Sequence, residues 1–140
     1  MKKILLCIIG LFLAVAVVFA AFATGGKTDK KEVFFSEGIG SFSEFWVDGN
    51  KVYMKCYLNI ENTSDIARTV NITAKSSEDV KTGLLKDENL TAYDEDITSS
   101  DITVEPGVNV YTVVFVGDFG GTVRKFDRLL PGDVAINVVE

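Results

Sequence analysis

The chain contains no histidine, and that absence removes more chemistry than any residue present suggests. Ser-His-Asp and Cys-His nucleophile systems need an imidazole base, and many zinc sites need an imidazole ligand, so these hydrolase and metalloenzyme classes are excluded. Cysteine is nearly absent as well: Cys7 and Cys56 are the only two. Cys7 falls in an apolar leader, so the rest of the chain has a single thiol, no internal disulfide, and must be held by apolar packing. The two prolines, Pro106 and Pro131, both sit in turn-like stretches, Glu105-Pro106-Gly107 and Pro131-Gly132. Basic charge is short: 14 Lys and Arg against 20 Asp and Glu give a net charge of -6. Leaving out Lys2 and Lys3 leaves 12 against 20, or -8, which argues against nucleic acid and against docking on an anionic lipid surface.

What is present begins with Lys2 and Lys3, followed by an uncharged apolar run from Ile4 to Ala23. As a helix rising about 1.5 Å per residue, such a run just crosses a hydrocarbon core of about 30 Å. Two readings stay open. Residues 1–23 are either a signal peptide cleaved after the small-residue site Ala21-Phe22-Ala23, or an N-terminal hydrophobic helix that stays as a membrane anchor through residues 4–23. Either way the lysines remain inside and the rest is expected outside the cytoplasm, secreted or tethered. A lipid anchor is disfavoured, because Cys7 opens the apolar run rather than following it. Residues 24–31, Thr-Gly-Gly-Lys-Thr-Asp-Lys-Lys, have the composition of a flexible linker.

Residues 32–140 read as one domain, and their apolar periodicity is two almost throughout. Phe42 to Val47 and Val52 to Ile60 flank Asp48-Gly49-Asn50, which predicts an antiparallel hairpin. Val52, Met54, Cys56, Leu58 and Ile60 share one parity, so Cys56 is expected to face the core as a small hydrophobe. Tyr53 and Tyr57 fall on the outward parity with Lys55 between them; they are the candidate ligand-contacting residues, unless Val33 to Ser36 or a neighbouring strand covers them. After a turn at Asn62-Thr63-Ser64-Asp65, Ile66 to Ala74 continues with Ile66, Val70, Ile72 and Ala74 on one face. Short runs follow at Gly83 to Lys86, Leu90 to Tyr93 and Ile102 to Val104.

Val108 to Val116 is apolar on both parities, the pattern of a central strand covered on both sides. Gly117 to Gly121 breaks it, Val123 to Leu130 is ambiguous between strand and helical turn, and Val134 to Val139 closes the chain with Val134, Ile136 and Val138 inward. Seven to nine short strands, with turn signals about every 8–12 residues, predict an all-β antiparallel sandwich.

Little else carries chemistry. Paired carboxylates remain available for acid-base work, but the acids lie in polar loops with no apolar pocket evident, so no enzyme is expected and no cofactor is implied. Asp94, Asp96 and Asp101 are weak calcium candidates, lacking the glycine and terminal glutamate of a helix-loop-helix site. Asp118-Phe119-Gly120 matches a kinase magnesium triplet in letters alone, and Leu130-Pro131-Gly132-Asp133 lacks the rest of a wall-sorting signal. Asn62, Asn71 and Asn89 each head an Asn-X-Ser/Thr sequon, a pattern that arises easily in a threonine-rich β protein.

The lysine-led leader, the glycine and lysine linker, the strand ending Tyr57-Leu58-Asn59-Ile60-Glu61-Asn62-Thr63-Ser64, the later Val113-Val114-Phe115-Val116-Gly117 and the closing Leu130-Pro131 together resemble the small immunoglobulin-like domains of bacterial cell-envelope proteins. The cysteine pair of antibody domains is missing, and Trp46 precedes the single Cys56. The resemblance implies an immunoglobulin-like sandwich over residues 32–140 and a non-enzymatic extracytoplasmic binding module. Its partner would be a protein or another envelope component, met by strand edges or loops; the alternative is a carbohydrate-binding or calcium-dependent adhesion domain.

Overall fold

The structure, a computed structural model, describes residues 32–123 and 130–139. Seven strands carry it: β1 (Val33–Asp48), β2 (Lys51–Asn62), β3 (Arg68–Lys75), β4 (Asn89–Asp94), β5 (Ile102–Val104), β6 (Gly107–Asp118) and β7 (Ala135–Val138), with one short helix, α1 (Ser77–Lys81), between β3 and β4. Every strand pairing is antiparallel, so the all-β expectation holds. The leader and the linker lie outside the described residues. So do residues 124–129, most of the ambiguous segment. Among the described residues no helix is long and apolar enough to cross a membrane.

The β1–β2 hairpin forms where Asp48-Gly49-Asn50 predicts it, with Asp48 opposite Lys51 and Gly49 at φ 60°, a value that glycine reaches without steric cost. Both ends of β1 face β2, but the strand is irregular. Residues 36–39 oppose the single Asn59, and Ser43 is an extra residue between Phe42 and Glu44. These bulges keep Phe35, Phe42, Phe45 and Val47 on the core side. They also bring Gly40 so close to β2 that a Cβ there would lie 2.0 Å from the Tyr57 carbonyl oxygen.

The hydrogen-bonded order is β1-β2-β6-β4-β3-β5, with β7 on β3. Thr73 pairs with both Thr91 and Ala135, and Val70 with both Ile102 and Val138. Hence β4 and β5 share one edge of β3, and β7 takes the other. Residues 95–101 interrupt that shared line, closed at their base by Asp94 N–H donating to the Ser99 carbonyl at 2.9 Å. Only β4 reaches across to β6, at residues 113–116. Beyond that point β5 stays with β3 while β6 stays with β2.

One apolar core fills the inside, built from Val52, Met54, Cys56, Leu58 and Ile60 of β2, Val70, Ile72 and Ala74 of β3, Leu90 and Ala92 of β4, Ile102 and Val104 of β5, and Val113 and Phe115 of β6. Burying this much branched and aromatic surface, at about 25 cal/mol per Å², is the main stabilising term in a domain without disulfides. Cys56 is fully buried, and burial alone pushes its thiol up to about 12.

Four expectations need correction. Ile66 is exposed and precedes β3, because its carbonyl is taken by the Asn62 side chain in the turn. Gly83 to Lys86 is not a strand: Leu85 makes an isolated bridge to Phe119, after a helical turn in which the Ser76 hydroxyl donates to the Asp79 carboxylate at 2.6 Å. β6 runs through Gly117 and Asp118 instead of breaking there. In β7, Ile136 packs on the core but Val138, at the end of this four-residue strand, is exposed.

Candidate functional site

The two tyrosines singled out by parity do point away from the core. Residues opposite each other on antiparallel strands share a face, so the register of β1, β2 and β6 gives the outer surface row by row. Trp46, Tyr53 and Val116 form one row; Glu44, Lys55 and Val114 the next; then Ser41, Tyr57 and Thr112; then Asn59 and Val110, beside the bulge that carries Ile39; then Phe34, Glu61 and Val108. Val33 to Ser36 does not cover this face. Its first three residues pair edge-on with the end of β2, and Ser36 opens the bulge.

The two ends of the face differ. At one, the Trp46 and Tyr53 rings stack with centroids 5.4 Å apart and planes 8° from parallel. Val114, which follows one row on, is buried yet lies outside the main core. Tyr93 stands opposite it on β4, and Lys55 reaches over β6 to Glu95 at 3.2 Å. That ion pair holds the lysine ammonium above its ordinary pKa, the hydrogen bond to Glu95 contributing most. Lys51 and Asp118 pair at the same end, raising the lysine and lowering the carboxyl through their shared hydrogen bond.

At the other end nothing comparable lies over β6 among the described residues. Val108 and Val110 are 61% and 65% exposed. The expectation that β6 is covered on both sides therefore holds for its second half, where β4 lies alongside, and fails for its first. Of the ten large hydrophobic residues exposed among the described residues, Phe34, Ile39, Trp46, Tyr57, Val108 and Val110 all lie on β1, β2 and β6. Exposed apolar residues are ordinary singly; here Phe34, Trp46, Tyr57, Val108 and Val110 share one three-stranded face, with Ile39 in the bulge beside it. Parity alone found Tyr53 and Tyr57; Phe34 and Trp46 required the register of β1, and the two valines required knowing where β4 ends.

The acidic candidates do not converge. Asp94 spends both carboxylate oxygens on Thr98, one accepting from its main-chain N–H at 2.7 Å and the other from its hydroxyl at 2.6 Å, and these bonds hold its carboxyl below the ordinary range. Asp101 accepts from the Asn71 amide at 2.7 Å, and Asp96 is an exposed loop residue. Among the described residues no three carboxylate or thiol groups gather as a metal site would require. The sequon asparagines are likewise engaged, Asn89 through its amide donating to the Asp87 carboxylate at 2.7 Å. Asn62 is buried, donating to the Ile66 and Val104 carbonyls at 2.9 and 3.0 Å, and Asn71 ties β3 to Ser100 and Asp101; Asn89 is exposed. A shallow groove of about 360 Å³ runs over β3, β4 and β7, lined among others by Thr73, Lys75, Asn89, Thr91 and Asp133, with no nucleophile and base paired in it.

Compared with models of protein families, with curated proteins and with solved structures, the chain matches none.

Proposed function

We propose that this chain is a non-enzymatic binding module held outside the cytoplasm, secreted or tethered through residues 4–23, and that the outer face of β1, β2 and β6 is its contact surface. The observation that carries the reading is the gathering of six exposed large hydrophobic residues on those three strands. Location rests on Lys2, Lys3 and the apolar run to Ala23. A sheet face is preferred over a strand edge because β1, the edge strand beside this face, carries two irregularities of the kind that blunt edge pairing.

The immunoglobulin-like class belongs to the same proposal. Its support is a corner between β5 and β6: the Tyr111 hydroxyl accepts from the Glu105 N–H, six residues upstream, at 2.8 Å. In immunoglobulin-like domains a tyrosine in this role ties a strand to the corner it has just left, two residues before a buried cysteine. Here Val113 is the buried residue two positions on.

Of the alternatives, carbohydrate stacking asks Tyr53 and Tyr57 to offer free ring faces in one groove, and Trp46 already occupies one face of Tyr53. Calcium-dependent adhesion would need Asp94 to give up Thr98. A protein or envelope component with its own apolar surface fits best. The test is a photo-crosslinking residue at position 57 of the full-length chain in its host, with position 103 of β5 as comparison. An adduct from 57 and none from 103 is expected; equal adducts, or none from 57, would overturn the reading.

A further inference from the structure

The partner that the face itself specifies is a second copy of the chain, and we propose that two copies close face to face about a two-fold axis crossing the strands at Tyr57. The inference rests on the reading of this face as the contact surface and names its occupant. An isologous contact requires a patch complementary to itself. A two-fold lying in the face and crossing β2 at Tyr57 sets the Tyr53 row of one copy on the Glu61 row of the other. Trp46 then meets Phe34, and Val116 meets Val108, so the aromatic end of each copy covers the open aliphatic end of its partner.

Charge favours this arrangement over the other one the face allows. With the axis along the strands, Glu61 would oppose Glu61. With the axis across them, Glu61 falls on Tyr53 of the partner, and the two copies of Glu61 stand about 26 Å apart, taking eight residues at about 3.3 Å each. Three strands about 4.8 Å apart and this length make a face of about 15 by 30 Å. A pair of such faces buries on the order of 1,000 Å² in total, near the lower limit for a specific contact, so the dimer is weak and concentration-dependent. High local concentration at a membrane surface would favour it if the leader is retained.

The test uses the full chain with Cys7→Ser and Tyr57→Cys, treated with a short bis-maleimide. Cys56 stays out of reach, being fully buried with its thiol pushed up to about 12. A covalent dimer through position 57 is expected, rising with protein concentration, and Val110→Lys, which enters the contact twice, lowers its yield by about tenfold or more, a cost of at least about 1.4 kcal/mol. The same reagent on Thr103→Cys, in β5 on the other side of the core, gives none. Absence of the dimer at 57, equal linkage at 103, or indifference to Val110→Lys overturns the proposal. Adducts of 57 with a different protein, without a dimer, overturn self-association and leave the contact face standing; failure of both the dimer and the photo-adduct removes the face as well.

Discussion

Trp46 on β1 and Tyr53 on β2 are directly opposed across the hairpin, and their rings lie 5.4 Å apart and 8° from parallel on the outside of the sheet. Trp46 is the only tryptophan, so its emission reports this one place. Tyr53→Ala removes the stack and is expected to cost about 0.5–1.5 kcal/mol in unfolding free energy and to shift Trp46 emission to the red. Unchanged emission would mean that the rings do not stack in solution.

The Tyr111 hydroxyl closes the β5–β6 corner on Glu105. Tyr111→Phe keeps the ring, which packs against the core, and removes only that bond. A loss of about 0.5–1.5 kcal/mol in denaturant unfolding is expected. A neutral substitution would show that the corner is held by packing alone.

Asn62 is a buried amide at the meeting point of β2, the turn to β3 and the end of β5. Its carbonyl oxygen also accepts from the Ser64 N–H at 3.0 Å and hydroxyl at 2.7 Å. Asn62→Ala leaves the buried Val104 carbonyl without this donor, while the Ile66 carbonyl keeps the Ser64 hydroxyl at 2.8 Å, and should destabilise by about 1–3 kcal/mol. Ser64→Ala, which removes a hydroxyl shared between the Asn62 side-chain oxygen and the Ile66 carbonyl but leaves no fully buried group unpaired, should cost less, and the order of the two in chemical unfolding is the check.

Cys56 couples stability to alkaline pH. Its folded pKa is raised from 9.0 to about 12, so the neutral thiol's contribution is whole below pH 9 and is lost as pH climbs from there toward 12. Cys56→Ala is expected to flatten this part of the alkaline decline. What remains comes in part from Lys51 and Lys55, whose pKa values are also raised and whose ion pairs are lost above their ordinary 10.5. At the acid end the sign reverses: Asp118 has a lowered pKa, so the stability from its pair with Lys51 is present above pH 3.8 and lost as pH falls below it, and Asp118→Asn should remove that limb.

The parts of the fold that were legible in advance depend on local pattern. The hairpin follows from Asp48-Gly49-Asn50, the inward set of β2 from strict alternation, and the outward tyrosines from the same alternation. What could not be read depends on breaks in parity or on distant partners. The bulge at residues 36–39, with Gly38 at φ 84° and Ile39 at φ 37°, shifts the pattern of β1 by three residues and hides its first half. The helix α1 is only five residues long and buries none of them, so it leaves no apolar periodicity to read. Val108 and Val110 look in sequence like Val114; their exposure is decided by β4 ending at Asp94 and β5 crossing to β3.

The most direct test of the contact face is the yield of adduct from a photo-crosslinking residue at position 57, compared between the parent chain and Val110→Lys. Val110 is exposed and outside the core, so its substitution should leave the unfolding free energy within about 0.5 kcal/mol. The account predicts that this stably folded variant loses the adduct. An adduct of undiminished yield would contradict it, because the open valine end would then play no part in what the face holds.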